Sequence, residues 1–225
     1  MKISYRLVII TGIFITCLIT ANIIAVKVIS LGPFTLPAAI FVFPISYIFG
    51  DVLTEVYGYR TARRVIWLGF ICNLVFVFFA WIGQILPSAS FWGDQQAYEN
   101  ILGIAPRILA ASFCGYIVGE FANSYVLSRM KIFTKGRWLW TRTIGSTIIG
   151  QALDTSLFIT IGYIGTGATI GTMIWNHWVC KVAIEVIFTP VTYLIVNWLK
   201  RKEGIDTYDY QTKYNPFTIS EKEKA

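Results

Sequence analysis

The sequence predicts an all-α integral membrane protein, a bundle of six transmembrane helices with both termini in the cytoplasm. Three observations carry that expectation. Of the 225 residues, 56% are apolar and only 14% charged, against about 25% charged in a soluble domain. Apolar runs at Leu7–Lys27, Leu36–Tyr57, Arg64–Leu86, Pro106–Ser128, Thr143–Gly165 and Met173–Trp198 each approach the roughly 20 residues that cross a bilayer. Lys and Arg then fall in every second loop: Lys2 and Arg6, Arg60 to Arg64, Arg129 to Arg142, and Lys200 to Lys202. The loops between them carry none, the pattern expected when basic loops stay in the cytoplasm. Residues 1–199 form the transmembrane domain, and the polar stretch 200–225 reads as a flexible cytoplasmic tail. The net charge of +7 is explained by this topology and calls for no nucleic acid.

The first run follows Lys2 and Arg6 as a signal peptide would. It stays apolar through Ile23, Ile24 and Val26, so it reads as an uncleaved span. Asn22 and Lys27 lie near its outer end. Pro33 and Pro37 mark a short turn into the second span, which Pro44 should kink or break by removing a backbone hydrogen bond. The third span is mostly lipid-like, with Asn73 and Gln84 as its polar interior residues. The long loop after it carries Trp92, Asp94, Tyr98 and Glu99, aromatics and charges suited to the headgroup interface. In the fourth span, Gly115 and Gly119 form a small-xxx-small pair that permits close helix contact. Glu120 and Asn123 share one face there, as do Gln151 and Asp154 on the fifth span. His177, Lys181 and Glu185 form a stripe of period four along the sixth. Cys17, Cys72, Cys114 and Cys180 sit inside spans with no ligand spacing and read as small apolar residues. No glycine-rich nucleotide motif is present, and no cofactor or metal is called for.

The stretch Pro44–Arg64 organises the rest. Asp51 and Glu55 are four apart, on one helix face, and the basic cluster Arg60, Arg63 and Arg64 follows. An ionised Asp at the bilayer centre costs about 2.5–3.5 kcal/mol on insertion scales. Acids at Asp51, Glu55, Glu120, Asp154 and Glu185, with bases at Lys27, Arg107, His177 and Lys181, come from five of the six spans. Charges on that many helices point to a polar cavity. A planar heterocycle would suit it, stacked on an aromatic ring with its N–H edge on a carboxylate. A transporter of small solutes is the first reading. An intramembrane hydrolase using Asp51 and Asp154, and a non-catalytic subunit of a larger assembly, are the rivals; no protease motif surrounds either aspartate.

Pro44–Arg64, the run Ala105–Ser112, Trp140–Ser146 continuing into Gln151–Thr155, and Lys181 through Thr189–Tyr193 together resemble the queuosine precursor transporter family, once labelled vitamin uptake transporters. The likeness spans Leu7–Trp198. It implies a bacterial or archaeal inner-membrane importer of 7-cyano- and 7-aminomethyl-7-deazaguanine for tRNA queuosine synthesis, working without an ATPase. It also implies a fold similar to the six-helix substrate-binding subunits of vitamin importers. The partners are then the 7-deazapurine substrate and the lipid bilayer, with a homo-oligomer left open. The deazaguanine edge offers a ring N–H and an exocyclic amine to one carboxylate: Glu185 or Asp154 first, then Glu120. Lys181, His177, Gln151 and Asn22 complete the implied substrate site. Asp51 and Glu55, near Arg60 and Arg64, are assigned gating or structural ion pairs. The Gly119–Asn123 and Trp175–Trp178 segments resemble one branch of the family.

Overall fold

The computed structural model describes residues 4–31, 34–103, 106–165 and 169–218. Along them run α1 (Tyr5–Ile24), β1 (Val28–Leu31), β2 (Phe34–Pro37), a 3-10 turn (Ala38–Phe41), α2 (Phe43–Tyr57), α3 (Tyr59–Ile85), α4 (Gln95–Leu102), α5 (Pro106–Phe133), α6 (Leu139–Tyr163) and α7 (Ile170–Glu203). Among the described residues, five helical stretches are long and apolar enough to cross a membrane: α1, α3, the stretch Gln95–Phe133 that contains α5, α6 and α7.

The second apolar run departs from expectation. Its start belongs to an antiparallel hairpin that pairs Ile29 with Leu36 and Val28 with Pro37. Only 15 residues are left for α2, about 22 Å at 1.5 Å per residue. Pro44 does not interrupt this helix. It lies in the first turn, where the missing N–H is one of the donors a helix start leaves unpaired anyway. Pro33 lies outside the described residues.

Although short, α2 is the centre of the molecule. Asp51, Val52, Leu53, Thr54, Glu55 and Val56 are all buried. Apolar side chains of its neighbours close round it: Leu7, Ile10 and Phe14 from α1, Ala62 and Val65 from α3, Leu139 from α6, Val196 and Leu199 from α7. The outer helices show the complementary pattern. On α3, Leu68, Ile71, Leu74, Val75, Phe78 and Phe79 are exposed at spacings of three and four, an apolar face directed at lipid.

Two helices approach very closely. A Cβ added at Gly119 of α5 would lie 3.0 Å from the Gly150 carbonyl oxygen of α6, and one at Gly150 would lie 2.9 Å from the Gly119 oxygen. Gly115 sits beneath Asp154 in the same way. Glycine is required along this seam because backbone meets backbone, and the contact carries Asp154 into the bundle. Arg107 donates to the carbonyls of Ile161 and Ile164, satisfying the orphan acceptors at the end of α6.

The described part of the tail is docked. Residues 204–218 form a strap across one end of the bundle. Thr207 N–H donates to the Val56 oxygen, Arg63 to the oxygens of Lys213 and Asn215, and Trp67 Nε1 to the Pro216 oxygen. Asp209 Oδ2 accepts from Tyr59 N–H at 2.9 Å, at the first turn of α3, and from the Ser128 hydroxyl at 2.7 Å. A carboxylate at a helix N-terminus satisfies free N–H groups and complements the helix dipole. Composition alone misses this, because the strap is held by polar contacts to residues distant in the chain, with a few side chains such as Ile205, Tyr214 and Phe217 packing on the bundle.

Gly58 links α2 to α3 at φ +82, and an added Cβ would lie 2.6 Å from Thr207 Cγ2 of the strap. Gly58→Ala is therefore expected to destabilise the protein by about 1–3 kcal/mol, read as a lower melting temperature in detergent together with faster proteolysis within 204–218.

Candidate functional site: a polar cavity in the bundle

A cavity of about 370 Å³ opens between α1, α2, α3, α5, α6 and α7. Six of the seven residues assigned to the substrate site from sequence line it: Asn22, Glu120, Gln151, Asp154, His177 and Lys181. Its other walls come from residues the sequence did not single out as site groups. Tyr47, Phe113, Tyr116 and Phe158 supply aromatic faces, and Ser46, Ser112 and Thr155 supply hydroxyls. A signal for the aromatics was present. Tyr47 precedes Asp51 by four residues, Tyr116 precedes Glu120 by four, and Phe158 follows Asp154 by four, so each ring shares a helix face with an acid.

Within the cavity the polar groups are ordered. Lys181 Nζ donates to Asp154 Oδ2 at 2.6 Å, joining α7 to α6; it bridges helices rather than pairing along its own with Glu185. Asn22 Nδ2 donates to Asn73 Oδ1 at 2.8 Å. The Tyr47 hydroxyl donates to Gln151 Oε1 at 3.1 Å, which leaves that amide's N–H₂ as its free side. Tyr116 donates to the Ile66 oxygen, fixing its ring at the wall. Glu120 differs from all of these. It is 9% exposed, and none of the protein hydrogen bonds or ion pairs found among the described residues involves its carboxylate.

Glu185 does not form part of the cavity wall. It is fully buried, and neither carboxylate oxygen has a partner among the described residues. Asp51 is also fully buried; Asn123 Nδ2 donates to its Oδ1 at 2.9 Å, and Oδ2 has no partner. Both acids therefore lie behind the wall, on helices that contribute other residues to it.

Glu55 is a separate matter. Its ion pairs come from three helices rather than from the neighbouring Arg60 to Arg64 cluster. Arg142 of α6 donates through Nε to Oε2 at 2.7 Å and through Nη2 to Oε1 at 2.8 Å. Lys200 of α7 donates to Oε1 at 2.5 Å, and Lys131 of α5 lies 3.6 Å from the same oxygen. Lys131 also donates to the Glu55 and Thr207 carbonyls and to Asp206. Arg64, by contrast, is exposed. Sequence proximity favoured the arginines of the adjacent loop; the helix carries Glu55 inward, where only groups from other helices reach it.

Membrane-length helices around an aromatic-walled cavity with charged groups from several helices are the architecture of a multi-pass membrane protein that holds a small solute, and similarity to known proteins makes it a transporter. A family model described as "Putative vitamin uptake transporter" matches residues 37–195. Over 181 residues the chain is 30% identical to the "Probable queuosine precursor transporter" of Bacillus subtilis, covering 78% of each chain. It is 25% identical to the "Queuosine precursor transporter" of Escherichia coli, over 72% of this chain and 73% of that one. A "Probable queuosine precursor transporter" of Haemophilus influenzae is 23% identical over 71% and 68%. No solved structure gives a significant match. The chain belongs to this queuosine precursor transporter family: it is a multi-pass transporter of the inner membrane, not an enzyme.

Removing one partner of a buried ion pair costs about 3–5 kcal/mol, so Glu55→Gln should lower the melting temperature sharply, with Arg64→Gln as a near-neutral control. Burial alone would push the Asp206 carboxyl up, but hydrogen bonds from Lys131 and Lys200, and their charges, hold it below the usual carboxylate range. A carboxyl depressed on folding adds stability that is complete above its unfolded value, about 4, and is lost as pH falls through the folded one. The melting-temperature gap between wild type and Asp206→Asn is therefore expected to persist near neutrality and to close on acidification below that value.

Proposed function

We propose that the protein imports 7-deazaguanine queuosine precursors, 7-cyano- or 7-aminomethyl-7-deazaguanine, across the inner membrane for tRNA modification. The observation that carries the reading is Glu120: a buried carboxylate, in no hydrogen bond or close ion pair among the described residues, facing a cavity walled by aromatic rings. Deazaguanine presents a ring N–H and an exocyclic amine side by side, and one carboxylate accepts both. Its flat face stacks against rings such as Tyr116, Phe113 or Phe158. Asp154 and Lys181, already paired, and the free N–H₂ of Gln151 offer complementary contacts for the carbonyl edge and the 7-substituent. His177 and Asn22 stand farther along the wall. The names of the three relatives support the substrate class.

The topology that goes with this reading has six passes, α2 with its preceding turn and hairpin serving as the second. The basic ends of the helices meet at one end of the bundle, where Arg6 pairs with Glu203 and Arg142 with Glu55. Because basic loops tend to stay in the cytoplasm, this supports a cytoplasmic side for both termini and the strap. The cavity, with His177 and the hairpin near its rim, then faces outward to receive substrate.

The test is uptake in a bacterium that neither makes nor imports deazapurines. Supplied with 7-cyano-7-deazaguanine at low concentration, cells expressing the protein should regain queuosine in tRNA. Restored uptake of a different planar vitamin or nucleobase in its place would refute the assignment. A hydrogen bond to a charged group is worth about 1.5–3 kcal/mol, so Glu120→Gln, which turns one acceptor into a donor, should weaken binding of the base by about ten- to a hundred-fold. Thermal-shift titration of the purified variant measures this directly.

A further inference from the structure

The acids behind the cavity wall are unlike Glu55. An ionised carboxylate removed from water must be paired or neutralised. Glu55 is paired three times over. Asp51 and Glu185, both 0% exposed, sit on α2 and α7, helices that pack against each other. Three of their four carboxylate oxygens have no partner among the described residues, and the fourth takes the Asn123 amide. The charges that reach Asp51 are Glu185 from α7, Glu120 from α5 and Glu55 from its own helix, all of them acids. The basic groups near them are directed elsewhere: Arg142, Lys131 and Lys200 to Glu55, and Lys181 to Asp154.

Asn123 adds an independent observation. Its side chain is 7% exposed, its Nδ2 serves Asp51, and its Oδ1, an acceptor only, has no donor. Among the described residues no cation pairs with Asp51 or Glu185, and unsatisfied acceptors come from three helices, α2, α5 and α7. The O–H of a carboxylic acid supplies both the missing donor and the missing neutralisation.

We infer that Asp51 and Glu185, held by Asn123, form the proton site that drives transport, one proton travelling with the substrate. This rests on the transport reading above and adds its energy source. The proton adds to a carboxylate oxygen from the cavity side and departs from the same oxygen on the opposite side; only that O–H bond is made and broken. Tyr47 links the two sites. Its ring lines the cavity, its hydroxyl donates to Gln151, and it lies within electrostatic reach of Glu120, Asp154 and Glu185. Substrate on Glu120 thereby alters the field at the acid pair, and a proton there alters the cavity in return.

Two readouts test this, the first without substrate. Infrared spectra of the protein in nanodiscs at neutral pH should contain the carbonyl band of a protonated carboxylic acid, lost or diminished in Asp51→Asn or Glu185→Gln. Asn123→Ala, which leaves both acids in place, should shift its frequency. A band unchanged in all three variants overturns the proposal. In proteoliposomes, an acidic exterior should drive accumulation of labelled 7-cyano-7-deazaguanine in the wild type, and a protonophore should abolish it. The Asn and Gln variants mimic the neutral acid, so they should still exchange substrate while losing accumulation above equilibrium. Accumulation that ignores the protonophore or follows a sodium gradient also overturns the proposal. A wild type that shows the band but does not take up the base refutes the substrate assignment alone, and the proton site then stands on the band.

Discussion

The interaction on which the rest of the molecule depends is the burial of Glu55 among Arg142, Lys131 and Lys200. A carboxylate with no exposure near the C-terminal end of a short helix is tolerable only because three other helices each deliver a cation to it. A buried pair of this kind adds little net stability over an apolar contact, but it penalises every arrangement in which one partner is missing. It therefore acts on alignment. It fixes the heights of α5, α6 and α7 relative to α2. Through Lys131 and Asp206 it also fastens the strap that closes this end of the bundle.

Alignment at that end sets the chemistry one layer further in. With α2 held centrally, Tyr47, Asp51 and Glu55 point from successive turns of the same helix into three different environments. Tyr47 meets the cavity, Asp51 a pocket where no cation of the described residues pairs with it, and Glu55 a cationic one. The α5–α6 seam at Gly119 and Gly150 works at the same level, because backbone contact there presents Glu120 and Asp154 to one cavity from two helices. The five acids of the membrane region are thus not one constellation. Glu55 is locked, Asp154 is bridged to Lys181, Glu120 faces the cavity unpaired, and Asp51 and Glu185 lie unpaired behind the wall.

Much of this was legible before any coordinates. Asn22, Glu120, Gln151, Asp154, His177 and Lys181 stand out as polar groups in apolar runs, and the same cost that makes them conspicuous there drives them into a shared cavity. The aromatics Tyr47, Tyr116 and Phe158 were hidden because rings are ordinary in a membrane sequence. Only their spacing of four from an acid marked them. Glu185 stood out for the same reason as the others, yet it lies behind the wall, since a one-dimensional stripe does not give the depth of a side chain within a bundle.

By itself the sequence determined what composition and period determine: an apolar helical membrane protein, the alternation of basic loops, the small-residue seam on α5, and which side chains are too polar for lipid. These are local properties, set by each residue's transfer energy and its place on a helix. The tertiary structure alone decided the rest: that part of the second apolar run is a hairpin, that Pro44 opens a helix instead of breaking one, that the polar tail is a docked strap, and which cations meet Glu55. Each depends on partners distant in the chain. Partner choice for a buried charge is set by which groups the fold brings within hydrogen-bond distance, and that is a property of three dimensions.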